Sequence, residues 1–340
     1  MKYSRKLYGK DLITTQEWEK SDLDYILKVA KEMKKKRYTH PLNKSLKNKS
    51  FFMFFYNPSV RTRQSFEVAA TELGGHALFL EPKSMRLKTV QTAGETIEDA
   101  ANVMARYAAG LGIRILEDSI PYYGAGDELI REYAKWSNIP VISMAHDKFH
   151  PCQGLADIMG LQEHLGDLKN KKVLVTWAHG ALARSWCSVQ EFLLIASRYG
   201  MEITLAYPEG YDLDPEIIEQ VKKNANENGV EFHITHSPDE GYKNVKVVYS
   251  RNWMSPNAYQ NGEFLKKQEI EKALSYKEWI CDEKKMKYTD NALFIHPMPV
   301  DRGHEVTDEV ASGKNSIIYD IAENRLHVQK AIMALTMGDF

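Results

Sequence analysis

"FFMFFYNPSVRTRQSFE", residues 51–67, decides how the rest of the chain is read. An unbroken apolar run stops at Asn57-Pro58, and a polar stretch with Ser59, Arg61, Thr62 and Arg63 then opens a segment of helical spacing. A run apolar on both faces is what a strand covered from both sides requires, and parallel sheets are covered in that way. A helix that starts directly after such a strand gathers free N–H groups and the positive end of its dipole at one spot. Ser59 and Thr62 add hydroxyl donors there, and Arg61 adds a planar fork suited to phosphate. The plainer alternative is a polar helix cap with solvated arginines. No G-x-x-x-x-G-K-[ST] is present, so this is not a Walker loop.

Outward from this stretch, strand-like and helix-like segments alternate. The segment after Pro58 is helical up to Gly74-Gly75, and "HALFL" (76–80) is a strand. Helix over 95–110, strand "LGIRI" (111–115), helix 127–137 and strand "PVISM" (140–144) follow. "KKVLVTW" (171–177), a helix to about Tyr199 and "MEITLAY" (201–207) restart the rhythm. Asp214 followed by Pro215 reads as N-cap and first residue of a helix. "VEFHIT", "VKVVYS" (245–250), "ALFIH" (292–296) and "SIIYD" (316–320) complete the expected strands. The pattern predicts an α/β protein of two doubly wound parallel-sheet domains. The boundary falls near residue 150, and helices at 152–166 and 323–338 are candidates to join the domains.

Bulk properties narrow the class. A chain of 340 residues is long for one core and suits two domains. With 27% charged residues and a net charge of -1 there is no electrostatic footprint for nucleic acid or a membrane surface. The three cysteines, Cys152, Cys187 and Cys281, are far apart and form no C-x-x-C pair, so neither a disulfide framework nor a zinc site is expected. No apolar stretch is long enough to span a membrane, and "MKYSRKLYGKD" lacks a signal-peptide core. The expectation is a soluble, reducing-compartment enzyme or binding protein that handles small molecules.

In open parallel sheets ligands bind beyond the carboxyl ends of the strands. The polar groups that follow each strand are "NPSVRTR", Arg114, "HDKFHPCQ", "AHG", "RNWMSP" and "PMPVDRGHE". His150 and Gln153 offer an imidazole and an amide that suit a carbonyl, or a structural role. Cys152 has no base at a recognisable spacing, which argues against a nucleophile. Glu98-Asp99 reads as a solvated helix face, and the lone glycine turn at Tyr122–Gly126 is weak as a nucleotide signal.

Taken together these residues resemble the aspartate/ornithine carbamoyltransferase family over nearly the whole chain. "SVRTRQSFE" is similar to its S-x-R-T-R-x-S-F-E motif, "HPCQGLAD" to H-P-x-Q-x-L-A-D and "HPMPVDRGHEVTDEV" to H-C-L-P-x-x-R-G-x-E-V-T. "AENRLHVQKAIM" resembles the family's C-terminal helix. The resemblance, with no G-x-G-x-x-G after any strand, sets aside an unrelated Rossmann-like oxidoreductase. It implies that residues 1–150 bind carbamoyl phosphate, that 151–322 bind the acceptor, and that helix 323–338 packs back on the first domain. Ser59, the Val60 N–H, Arg61 and Thr62 would hold the phosphate, and Arg114 would bridge phosphate and carbamoyl oxygen. His150 and Gln153 would grip the carbamoyl group, and the Pro297 and Met298 carbonyls with Arg302 would complete the pocket. Catalysis would rest on Arg61, Arg114, His150, Gln153 and Arg302, with no metal, cofactor or covalent intermediate, in a cytoplasmic enzyme. The resemblance also implies a homotrimer whose loop around 83–94 reaches a neighbouring site.

The acceptor is the point of departure. Aspartate-type members carry a lysine before G-E-T, whereas this chain has Ala93 before Gly94-Glu95-Thr96. Ornithine-type members carry an aspartate in D-x-W-x-S-M-G to hold the α-ammonium; here "SRNWMSP" has Arg251 in that place and Pro256 instead of the methionine. An arginine opposes an ammonium and suits a carboxylate. N-acetylornithine and N-succinylornithine types have a lysine there, in Y-x-K-x-W. The segment after "VLVTW" also has the length of that branch, which implies a shallow trefoil knot around the 178–190 loop. Arg251, Asn252, Trp253, Ser255 and Trp177 are the expected acceptor residues. Against this branch stand "AHGALARSW", which lacks its proline-rich loop, and the ornithine-like Arg302-Gly303-His304-Glu305. The expectation is carbamoyl transfer to an ornithine-like amine whose α-nitrogen is acylated or absent. Free ornithine is the rival, and a carbamoyl phosphate-binding protein without catalysis is the non-enzymatic alternative.

Overall fold

The computed structural model of the protein describes residues 3–82 and 94–340. The chain divides into two compact units, Met1–Leu155 with Glu323–Phe340, and Ala156–Ala322.

Unit 1 opens with helix α1 (Lys20–Lys35) and continues β1 (Ser50–Phe55), α2 (Val60–Glu72), β2 (His76–Leu80), α3 (Ile97–Met104), β3 (Gly110–Ile115), α4 (Ala125–Trp136), β4 (Val141–His146) and α5 (Pro151–Leu165). Its four-stranded sheet has the order β2-β1-β3-β4, and every pairing is parallel. The apolar run read in the sequence is the inner strand β1: Phe51, Met53, Phe54 and Phe55 are buried, and Phe51 stacks on Phe66 of α2 at 5.6 Å. Helix α2 stops where Gly74 takes φ +80°, a left-handed conformation that costs glycine little.

Unit 2 contains β5 (Lys172–Trp177), α6 (Cys187–Arg198), β6 (Glu202–Ala206), α7 (Pro215–Asn228), β7 (Phe232–Thr235) and β8 (Val247–Arg251). A short hairpin of β9 (Tyr259–Gln260) and β10 (Glu263–Phe264) precedes α8 (Lys266–Leu274), α9 (Glu283–Met286), β11 (Leu293–Ile295), α10 (Asp308–Ala311) and α11 (Ile318–Met337). Its five-stranded parallel sheet runs β11-β8-β5-β6-β7. Asp214 caps α7 by accepting from the Glu216 N–H at 3.0 Å, with Pro215 in the first turn. Both unit boundaries fall inside helices, α5 at Leu155 and α11 at Ala322.

Two sequence expectations need correction. "SIIYD" is not a strand: Ser316 forms one bridge to Phe294, and from Ile318 the chain is already in α11. The neighbouring edge strand β11 offers only Leu293–Ile295, so β-propensity here has no ladder to satisfy. The helix expected over 95–110 spans Ile97–Met104 only. Thr96 caps its start through the Asp99 N–H, and by Ala109 the backbone already bonds to Ser50, the first residue of β1.

Candidate active site

Each sheet has one place where the strand order reverses, and there the loops of adjacent strands part and leave a crevice. In unit 1 this point lies between β1 and β3, and in unit 2 between β5 and β8. The expected site residues lie at or just beyond the carboxyl ends of these strands and of their neighbours β4 and β11.

In unit 1, Asn57 fixes the exit from β1 by accepting the Leu116 N–H through Oδ1 at 2.6 Å, a tie to the residue just past β3. Ser59 is the N-cap of α2 and accepts the Thr62 N–H at 3.4 Å. Thr62 is buried, whereas Val60 and Arg61 are exposed at the helix start. The second arginine is engaged elsewhere. Arg63 donates to Glu67 at 2.9 Å, and its guanidinium lies 4.1 Å from the Phe79 ring centre.

Arg114 lies on β3 opposite Phe55 of β1, where the register with β4 shifts between Ile113 and Arg114. A β-bulge re-aims the side chain it carries. His150 and Gln153, both buried, sit at the start of α5. Arg325 of α11, not expected from the sequence, reaches them: its Nη1 donates to Gln153 Oε1 at 2.8 Å and lies 3.5 Å from His150 Nε2. This residue stands in "AENRLHV" as one helix arginine among many charges. Only its burial beside two named site residues singles it out.

In unit 2 the loop after β11 is built around His296 and Glu305, both fully buried. His296 Nδ1 accepts the Met298 N–H at 2.8 Å, so the proton sits on Nε2, which donates to Glu305 Oε2 at 3.0 Å. Burial pushes the imidazole down to about 4, helped by Arg251 and Arg184 and opposed by Glu305. Burial works to raise the Glu305 carboxyl, but His296, Arg184 and Arg251 outweigh it and hold it well below the usual carboxylate range. The pair is therefore a neutral imidazole and a carboxylate. Met298 has φ +56°, an uncommon conformation for a non-glycine residue and one that clusters at functional sites. Arg302 is exposed and donates to Asp308 at 2.7 Å and Ser312 at 2.9 Å, partners that hold its guanidinium toward α10.

The expected acceptor residues separate into two groups. Trp177 and Trp253 are fully buried, and each indole N–H is used internally, on the Trp253 and Tyr211 carbonyls. The Asn252 side chain donates to the Ala178 carbonyl, and Ser255 donates to Glu269 at 2.6 Å. These four shape the loop. Arg251 is different: it is buried, its Nη1 is 4.0 Å from Glu305 Oε1, and neither Nε nor Nη1 has a hydrogen-bond partner. Such a guanidinium is a receptor for an anion. Residues 83–93 lie outside the described residues, and with them the expected neighbour-reaching loop. Among the described residues, no cluster of three or more His, Cys, Asp or Glu side chains could hold a metal ion.

Two doubly wound units with cationic loops at their switch points define a two-domain α/β protein that handles anionic small molecules. Residues 10–163 match the family model "Aspartate/ornithine carbamoyltransferase, carbamoyl-P binding domain", and residues 173–336 match its Asp/Orn binding domain. The chain belongs to the aspartate/ornithine carbamoyltransferase family. It is 37% identical to N-acetylornithine carbamoyltransferase of Xanthomonas campestris pv. campestris, over 97% of this chain and 98% of that one. It is 38% identical to ornithine carbamoyltransferase of Archaeoglobus fulgidus, over 97% and 98%. The crystal structure of acetylornithine transcarbamylase complexed with acetylcitrulline superposes with a TM-score of 0.89, at 36% identity, over 97% of this chain and 100% of that one. A variant of N-acetyl-L-ornithine transcarbamylase complexed with carbamyl phosphate and N-succinyl-L-norvaline gives 0.87, at 36% identity over 96% and 99%.

Proposed function

We propose that the protein transfers the carbamoyl group of carbamoyl phosphate to the free amino group of an N-acylated ornithine, releasing phosphate. Residues 1–150 with helix 323–338 serve the donor, and 151–322 serve the acceptor. Ser59, Val60, Arg61 and Thr62 hold the phosphate, Arg114 spans phosphate and carbamoyl oxygen, and His150 and Gln153 hold the carbamoyl group. Arg325 joins this set: an amide whose oxygen is held by Arg325 presents its nitrogen as a donor. The carbonyls of Pro297 and Met298 accept from the carbamoyl NH2, and Arg302 braces their loop. The neutral amine attacks the carbamoyl carbon. Arg61, Arg114 and His150 stabilise the charge that grows on oxygen, and the departing phosphate takes the amine proton.

Overall identity does not choose the acceptor, because the N-acetylornithine and ornithine relatives stand at 37% and 38%. The observation that carries the choice is Arg251. Its buried guanidinium has two nitrogen atoms without hydrogen-bond partners, which suits the acceptor carboxylate and would repel a free α-ammonium. Free ornithine is the rival, favoured by the retained Arg302-Gly303-His304-Glu305. The test is phosphate release from carbamoyl phosphate with N-acetylornithine, N-succinylornithine, ornithine and aspartate. Turnover on the acylated amines supports the reading, and turnover on ornithine alone overturns it. Binding of carbamoyl phosphate with no turnover on any amine would make the chain a non-catalytic binder.

The same reading makes the protein a cytoplasmic homotrimer with sites completed by a neighbour, and gives the 178–190 loop its shallow knot. That loop is tied to three later segments, through His179 to Trp279, Ala181 to Asp301 and Arg184 to Met254 and Pro299. Sedimentation of a monomer at working concentration would remove the shared site.

A further inference from the structure

We propose that Glu305 is a positioning residue that couples the donor loop of unit 2 (297–302) to its acceptor loop (251–255), one carboxylate oxygen to each. Oε1 faces the acceptor side. It accepts the Asn252 N–H at 2.8 Å and lies 3.6 Å from Arg184 Nε and 4.0 Å from Arg251 Nη1. Oε2 faces the donor side. It accepts the Asp301 N–H at 2.8 Å and the His296 Nε2–H at 3.0 Å, and His296 in turn fixes the Met298 N–H. Arg184 closes the circuit by donating to the Pro299 carbonyl at 2.9 Å.

The division of labour has a chemical reason. A carboxylate with no exposure is costly to bury, and well-packed apolar residues often stabilise a core as well. Here the groups it satisfies are the Asn252 and Asp301 N–H donors of irregular loops and the His296 imidazole. Such loops have no ladder to set their geometry, so the carboxylate supplies it. Its negative charge also lets two guanidiniums lie near one another without expelling Arg251 from the loop. Glutamine has the same shape but only one oxygen. Either the Asn252 and Arg251 side or the Asp301 and His296 side then meets an NH2 group, and both sides lose the charge.

The inference rests on the proposed carbamoyl transfer and deepens it. The experiment is Glu305→Gln with carbamoyl phosphate and whichever amine the unaltered protein turns over. Both KM values should rise about 10-fold or more, with kcat changed less, and the melting temperature should fall as well because buried donors lose an acceptor. Unchanged KM values with a lower melting temperature would make Glu305 a purely structural residue. A rise in one KM alone would overturn the coupling.

Should Glu305→Gln fail to fold, Arg184→Gln keeps the question open to refutation. It cuts the link between Oε1 and Pro299, so both KM values should again rise together, and a change in neither would sink the proposal. When both variants fold, their combined effect should be smaller than the product of the single effects. If the unaltered protein turns over no amine, the functional reading falls. Calorimetric binding of carbamoyl phosphate to unaltered protein and variant then decides Glu305 on the donor side, where equal affinities would overturn it.

Discussion

Arg61 and Arg63 stand two positions apart in one turn of helix, and the proposed mechanism gives the phosphate to Arg61 alone. Both are exposed, and Arg63 is held by Glu67 and by the face of Phe79. Replacing Arg61 with Ala should lower kcat/KM for carbamoyl phosphate by about a thousandfold, the scale of losing a charged donor to the transition state. The circular dichroism spectrum should not change. Arg325 makes a second test. Arg325→Met keeps the bulk and removes the donor to Gln153, so the KM for carbamoyl phosphate should rise about 10- to 100-fold. An unchanged KM would return Arg325 to a packing role. The motif around Arg61 was legible because one short segment contains both strand and helix start. Arg325 was not, because its meaning depends on a contact made 172 residues away along the chain.

At the scale of elements, local rules worked where the element is decided locally. Asp214 with Pro215 opens α7, and Gly229 at φ +67° closes it. Asp214→Ala should cost about 1 kcal/mol in urea unfolding and leave turnover unchanged, since this cap lies far in sequence from every proposed site residue. Local rules failed where a neighbour decides. "SIIYD" has strand composition, but the three residues of β11 give it nothing to pair with. The start of α4 shows the same dependence. Gly124 is its N-cap and offers no side chain, so Asp147, from the loop after β4, accepts the Gly124 and Asp127 N–H groups instead. Asp147→Ala should therefore destabilise the protein by about 1–3 kcal/mol, more than an ordinary cap, because buried donors lose their acceptor. Thermal melting would show it.

At the scale of the molecule, buried titration links stability to pH. His296 is pushed down to about 4 by burial in the folded protein, against 6.5 when unfolded. Between those values the unfolded chain binds the extra proton, so stability is full above pH 6.5 and falls as the pH drops toward 4. The loss should approach about 3 kcal/mol, read as urea midpoints across that range. His296→Gln should flatten the slope over the same interval, and an unchanged slope would place the effect in other groups.

The alternation of strands and helices made both sheets legible in the sequence. Their division into units, with the boundary inside helix α11, was only half legible, since helical spacing at 323–338 does not say which sheet it serves. Unit 1 includes Glu323–Phe340. Lys330, wholly buried there, bonds Glu72 at 2.8 Å, and Lys49 reaches the Met337 carbonyl. During synthesis, then, the part of unit 1 that leaves the ribosome first must wait for residues made some 170 positions after Leu155 before its core can close. Between those two moments the turn proposed to bind phosphate exists as sequence but has no finished domain to hold it.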